Sequence, residues 1–218
     1  MVRAIVAELS KSPDLPGIGS EIAAVLAEEA RRREEFRNTV TENDKAEFIN
    51  GEAVYHSPAR RRHNDSTLSL AALLKYYCNF PGRGLVQVEK AMIGLTRNDY
   101  EPDVCYFLEE KAQHIDADEM IYPAPDFIAE VLSPSTAKND RGVKFEDYAA
   151  HGVGEYWIID PEAQVVEQYI LEGDRYALRA KQADGHLTSA VIPGFRIPVR
   201  AIFDDAENAE TAKRLLTE

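Results

Sequence analysis

Two short apolar runs, each entered just after a proline, constrain this chain more than any other feature. Asp103–Leu108 follows Pro102, and Phe127–Leu132 follows Pro125. Runs of this length, apolar on consecutive positions, fit strands buried on both faces at the centre of a sheet. Glu130 sits inside the second run, in Phe-Ile-Ala-Glu-Val-Leu, where every neighbour is apolar. A carboxylate there is costly to bury unless it is paired or binds a cation. Chemistry alone leaves two readings open, a Glu130 paired across the sheet with Arg or Lys and a Glu130 that serves a site, because both perturb buried acids.

Helix and strand signals surround these runs. Residues 1–18 carry weak periodicity with Pro13, Pro16 and Gly17, and read as a loose lead-in. Ser20 reads as the N-cap of a helix over 20–37. In that helix Arg31, Arg32 and Arg33 face Glu28, Glu29, Glu34 and Glu35 at helical spacing, which favours a solvated, self-paired face over a DNA contact. Ala46–His56 alternates about Asn50-Gly51, a hairpin signal. Ser66–Tyr77 places Leu70, Leu73, Leu74 and Tyr77 on one helical stripe. Leu85–Leu95 reads as one strand, Asn139–His151 as one helix stopped by Gly152, and Glu155–Asp160, Val165–Leu171 and Arg175–Leu178 as strands. Ala206–Leu216 predicts a terminal helix. The division expected is a lead-in and helix over 1–40, one α/β domain over 41–205, and a tail helix over 206–218.

The 218 residues are 44% hydrophobic and 29% charged, enough for a sizeable core. No apolar stretch is long enough to span a bilayer and no signal peptide is evident, so no membrane role is expected. Cys78 and Cys105 read as free thiols in a reducing compartment, the cytoplasm, and offer no zinc pattern. The net charge of -13 argues against tight metal-free binding to nucleic acid. It does not exclude a metal-dependent phosphodiesterase, and Arg60, Arg61 and Arg62 form a local basic run.

Asp103 and Asp126 compete as partner to Glu130. Asp126 lies four residues away on the same strand, about 13 Å at roughly 3.3 Å per residue. That is too far to share one ion with bonds of about 2.0–2.1 Å. Asp103, on a neighbouring strand, can lie opposite Glu130, which leaves Asp126 as the polar start of its strand. Asp140, Lys144 and Tyr148, spaced by four, share one helix face. Lys144 on an inner face could reach the acids, whereas an Asp140–Lys144 pair on the surface is the plainer alternative.

The stretch Pro125-Asp126-Phe-Ile-Ala-Glu130-Val-Leu-Ser133-Pro-Ser135-Thr, then Asp140, Lys144 and Tyr148, then Gly152-Val-Gly-Glu-Tyr156-Trp157-Ile-Ile-Asp160-Pro161, resembles the Uma family of putative restriction endonucleases. Glu47-Phe-Ile-Asn-Gly51-Glu, the His63 that begins the next helix, and Pro102-Asp103 resemble it too. Ile192-Pro-Gly-Phe195 looks like its closing strand. The resemblance covers roughly residues 40–205 and implies a PD-(D/E)xK nuclease-like fold, a restriction-endonuclease-like mixed central sheet flanked by helices, here with an extra N-terminal helix. That fold's usual lysine stands two residues after the acid, where this chain has Leu132; the family's lysine is moved to the following helix, which carries over to Lys144. Glu47 matches the family's early glutamate and joins Asp103 and Glu130 as an implied ligand of Mg²⁺ or Mn²⁺. His63 matches a recurrent position and, with Asp140 and Tyr148, is an accessory candidate.

What this implies is a hydrolase of nucleic-acid phosphodiester bonds, with DNA as the expected substrate. Asp103, Glu130 and Lys144 would carry the chemistry, in a homodimer that pairs two sites to cut two strands. The alternative is a binding or scaffold module that keeps the fold without turnover, since fold does not fix function. A sugar- or nucleotide-processing enzyme finds no Gly-rich phosphate loop to support it.

Overall fold

A computed structural model describes residues 2–41 and 43–217. Met1, Glu42 and Glu218, which fall within the expected segments, lie outside the described residues. In chain order the elements are helices α1 (Val2–Leu9) and α2 (Leu15–Thr39), strands β1 (Ala46–Ile49) and β2 (Glu52–Tyr55), and α3 (Arg61–Tyr77). Then come β3 (Leu85–Val88), β4 (Met92–Gly94), β5 (Asp99–Tyr100), β6 (Val104–Phe107), α4 (Glu109–Ala112), β7 (Ile121–Tyr122) and β8 (Phe127–Val131). They are followed by α5 (Ala137–Asp140), α6 (Val143–Ala150), β9 (Glu155–Asp160), β10 (Val165–Glu172), β11 (Arg175–Gln182), β12 (His186–Thr188) and β13 (Arg196–Pro198). A 3₁₀ turn at Val199–Ile202 leads into α7 (Asp205–Leu215).

The six-stranded sheet runs β11-β10-β9-β8-β6-β3, with β8 and β9 parallel and the other pairs antiparallel. The parallel pair requires a crossover, which α5 and α6 supply. Both apolar runs of the sequence lie side by side within it, β8 as one of the two central strands and β6 between β8 and the edge strand β3. Their period of two sends alternate residues to opposite faces. Val104, Tyr106, Phe127, Ala129 and Val131 pack with Leu70, Leu73 and Leu74 of α3, while Cys105, Phe107 and Ile128 pack with Tyr148 of α6. Glu130 therefore points to the α6 face.

The second sheet runs β2-β1-β5-β4-β7. Its β1–β2 hairpin turns on Asn50 and Gly51 at φ 51° and 87°, the left-handed pair that a two-residue hairpin needs.

Several boundaries differ from expectation. The lead-in is helical: α2 starts at Leu15, with Pro16 tolerated in its first turn, where an N–H has no partner to lose. Ser20 lies inside it and donates its hydroxyl to the Pro16 carbonyl at 3.0 Å instead of capping. Arg31 and Arg32 do pair with Glu28 on the helix surface. Arg33 does not; it turns inward and, with Arg37, grips the buried Asp99. Helix α3 begins at Arg61, five residues before Ser66. Leu85–Leu95 is two strands in two sheets, broken where Glu89 adopts φ 56°. The expected helix over 139–151 is split at Gly142, where a Cβ would lie 2.8 Å from the Lys138 carbonyl. Strand β11 extends four residues beyond Leu178. Ile192–Phe195 is a turn, and the strand it opens is Arg196–Pro198.

Candidate active site

Register places the first two acids. Val104 of β6 is opposite Ala129 of β8. Asp103, one residue earlier, therefore falls beside Glu130, one residue later on the antiparallel neighbour. The pair is laced through the backbone: the Asp103 amide donates to Glu130 Oε2 at 3.3 Å, and the Val131 amide donates to Asp103 Oδ2 at 2.8 Å. Glu47 comes from β1 of the other sheet and accepts the Glu101 amide at 2.9 Å.

Lys144 joins these elements. Its Nζ lies 2.9 Å from Glu130 Oε1, 2.8 Å from Glu47 Oε1 and 3.4 Å from Asp140 Oδ1, and it is buried. The break at Gly142 does not separate Asp140, Lys144 and Tyr148, which all point inward. Tyr148 donates its hydroxyl to Glu130 Oε1 at 2.9 Å. His63, in the first turn of α3, brings Nε2 to 3.2 Å from Asp103 Oδ2. The four residues with proposed chemical roles and the three accessory ones thus sit in one cluster. Asp126, by contrast, accepts the Leu108 amide and pairs with Lys111 at 2.8 Å away from it.

Asp103, Glu130, His63, Asp140 and Lys144 line a cleft of about 750 Å³ together with Arg60, Asn64, Glu89, Ser133 and Thr136, while Glu47 and Tyr148 touch Lys144 and Glu130 from outside that lining. Sequence reasoning did not single out three further groups there. Lys45 reaches Glu89 and stands 3.4 Å from Asp103 Oδ1. Lys45 is two residues before Glu47, so strand periodicity could have found it. His56 Nε2 lies 3.2 Å from Glu47 Oε2. Glu101, directly before Pro102-Asp103, accepts the Ala46 amide at 3.0 Å.

The electrostatics divide the acids. Burial pushes the Glu130 carboxyl up to about 8; Lys144 opposes this, while the charges of Asp140, Asp103 and Glu47 reinforce it. Burial likewise raises Glu101 to about 7, and raises Asp140. For Asp103 burial works against ionisation, but the hydrogen bond and charge of His63 and the charge of Lys45 outweigh it, holding the group below the ordinary carboxylate range. Glu47 is held low against burial by Lys144 and His56. Lys144 loses stability as a cation through burial and regains more from Glu130, Glu47 and Asp140, so it stays protonated.

Glu47 Oε2, which has His56 Nε2 at 3.2 Å, and the two Asp140 carboxylate oxygens, one of them 3.4 Å from Lys144 Nζ, are buried with ionic neighbours but no hydrogen bond of good geometry. Such oxygens have acceptor capacity left over, and a set of hard carboxylate donors suits Mg²⁺ or Mn²⁺. The residues present therefore fit a divalent cation by chemistry. Among the described residues no three His, Cys, Asp or Glu side chains already stand in an arrangement that holds a metal. The Lys144 ammonium is the cation on which Glu47, Glu130 and Asp140 converge.

Glu155 shows what a purely structural buried glutamate looks like in the same fold. It accepts from Trp157 Nε1, Gln168 Nε2, Ser189 Oγ and the amides of Ala190 and Val191, all within 3.1 Å. It fastens the turn after β12, and it lies outside the cleft.

A mixed sheet flanked by helices, with acids meeting at adjacent strand ends and a lysine above them, defines a nuclease-like α/β protein. The chain belongs to the Uma2 family, described as "putative restriction endonuclease", whose match spans residues 28–200. It is 34% identical over 139 residues to an uncharacterized protein of Synechocystis sp., a match covering 61% of this chain and 75% of that one. The fold is similar to the crystal structure of a "putative nuclease belonging to DUF820" from Anabaena variabilis. That match has a TM-score of 0.68 at 16% identity and covers 80% of this chain and 97% of the other. No helix among the described residues is long and apolar enough to cross a membrane.

Proposed function

We propose that this chain is a metal-dependent endonuclease that hydrolyses phosphodiester bonds in nucleic acid, with DNA as substrate, and that it works in the cytoplasm as a homodimer. The observation that carries the reading is the meeting of Asp103, Glu130 and Lys144, from the residue before β6, from β8 and from α6, in the lining of one cleft, with Glu47 of β1 against Lys144 at 2.8 Å behind it. Asp103, Glu130 and Glu47 would hold the Mg²⁺ or Mn²⁺. When bound, the ion polarises a phosphate oxygen and lowers the pKa of its water.

The protein's own groups then have separable tasks. Lys144 Nζ, kept protonated, supplies positive charge against the charge developing on the phosphate. Tyr148 fixes Glu130 through its hydroxyl, and His63 fixes Asp103. Lys45 partly neutralises the mouth of an acidic cleft that must admit a polyanion.

A second reading, a binding module without turnover, is favoured by the ammonium of Lys144 standing 2.8 Å from Glu47 and 2.9 Å from Glu130, where a metal ion would otherwise sit. Incubation with supercoiled plasmid, linear duplex and single-stranded DNA in Mg²⁺, in Mn²⁺ and in chelator separates the two. Cutting that needs metal supports the enzyme; retention of DNA with no cutting in any metal selects the module.

A further inference from the structure

Helix α2 has two unlike halves. Its C-terminal half is bolted to the domain: Glu29 pairs with Arg97, Arg33 and Arg37 grip Asp99, and Phe36 lies against Phe48 at 5.7 Å between ring centroids. Its N-terminal half, residues 15–28, leaves that contact, and every residue in it is exposed except the half-buried Ile18.

The two halves present the same face. At about 100° per residue, Leu15, Ile18, Ile22, Val25 and Leu26 fall in one sector of about 120° with Glu29, Arg33, Phe36 and Arg37. The face that meets the domain at the root thus continues outward as an apolar stripe. Ile22, Val25 and Leu26 are 50%, 63% and 46% exposed. The spacing of Leu15, Ile18, Ile22 and Val25, by three, four and three, is the a/d repeat of a helix that packs on another helix. Helix α1 adds exposed Ile5 and Val6.

The geometry points to this arm as a docking surface for a second copy of the chain, arm against arm. Three observations select that occupant. Ile5, Val6, Leu15, Ile22, Val25 and Leu26, each 41–63% exposed, come to roughly 500 Å² per protomer, in the upper range of the apolar patch a solitary protein exposes, and two copies that covered them fully would bury about 1,000 Å², the least a specific interface needs. Residues 15–28 carry Glu21 and Glu28 and no Lys or Arg, which argues against a lipid surface, since helices that lie on membranes carry a basic polar face. The family match begins at residue 28, so the arm is an addition to the shared domain and not part of its core. Because α2 is one continuous helix from tip to root, the docking would hold two clefts in a fixed relation. This holds whatever bond the cleft acts on.

Sedimentation velocity of the full chain over a concentration series, with wild type beside Ile22→Glu/Val25→Glu, tests it. Both positions are exposed, so the far-ultraviolet circular dichroism of the variant should match wild type. Leu178→Glu, at an exposed leucine on β11, is the control. The expected result is a wild-type dimer, an arm variant weakened at least about 100-fold in dimerisation, and a control that dimerises normally. A wild type that stays monomeric, an arm variant that dimerises like wild type, or arm-dependent co-sedimentation with phosphatidylcholine–phosphatidylglycerol vesicles would overturn it.

Discussion

Replacing Lys144 by alanine removes the one ammonium on which Glu47, Glu130 and Asp140 converge within 3.4 Å. Deleting one partner of a buried ion cluster typically costs about 3–5 kcal/mol, because charge is left uncompensated. The cluster can relieve part of that by taking up protons. Glu130 already binds its proton up to about pH 8 in the intact protein, and without Lys144 its carboxyl would hold it to higher pH still. A carboxyl whose folded pKa lies above its unfolded value makes stability fall as pH rises between the two. Below pH 8 Glu130 is protonated in both proteins, so the deficit of Lys144→Ala should be smallest near pH 5 and grow toward pH 8 through Glu47, which Lys144 holds low in wild type. It should grow further above pH 8, where wild type ionises Glu130 and the variant does not, reaching about 3 kcal/mol. A divalent cation that binds the folded state at ten times its dissociation constant returns about 1.4 kcal/mol. It should return more to the variant than to wild type, since the variant's acids are not already neutralised. Urea denaturation at pH 5, 6.5 and 8, with and without Mg²⁺, reads all three effects. A variant as stable as wild type at pH 8, or a deficit that grows as pH falls, would refute the reasoning.

Other perturbations follow from the same geometry. Asp99, held below the ordinary carboxylate range against burial by hydrogen bonds from Arg33 and Arg37, contributes stability that is intact above pH about 4 and lost as pH falls through its depressed folded value. Asp99→Asn should cost about 3 kcal/mol at pH 7, with the gap to wild type closing in acid denaturation scans toward pH 2. Glu155→Gln sets an amide NH₂ among five donors and should lower stability by roughly 3 kcal/mol in urea, while the metal-dependent rate per folded molecule stays at the wild-type value. Leu132→Lys combined with Lys144→Ala returns a cation to the position two residues after Glu130, on the same face of the strand, and should recover part of the cleavage lost in Lys144→Ala; a double variant no faster than the single one would show that the strand position cannot serve.

The core of this fold was legible because β6 and β8 are apolar at every position but Glu130, and a carboxylate inside such a run stands out in one dimension. Lys144 was legible only through the resemblance: spacing alone favours a surface pair with Asp140, and what decides is the packing of α6 on the sheet. The missed groups were missed for physical reasons. Lys45, His56 and Glu101 flank strands of the second sheet, where polar residues are ordinary, and they become part of the site only when that sheet meets the first. Arg33 was read as a surface charge because the helix surface offers glutamates at the right spacing, and Asp99, 66 residues away in sequence, was the stronger partner. The helical lead-in was hidden by Pro13, Pro16 and Gly17, of which Pro16 sits where a helix tolerates it.

The most direct test of the central claim is the cleavage rate of wild type and Glu130→Ala, side by side on one DNA substrate in Mg²⁺. Glu130 binds Lys144, Tyr148 and the Asp103 amide at the centre of the cluster, and the proposal makes it a metal ligand as well. Wild type should cut in Mg²⁺ and not in chelator, and the variant should lose at least about 100-fold. Equal rates for the two proteins, or cutting that persists in chelator, would contradict it.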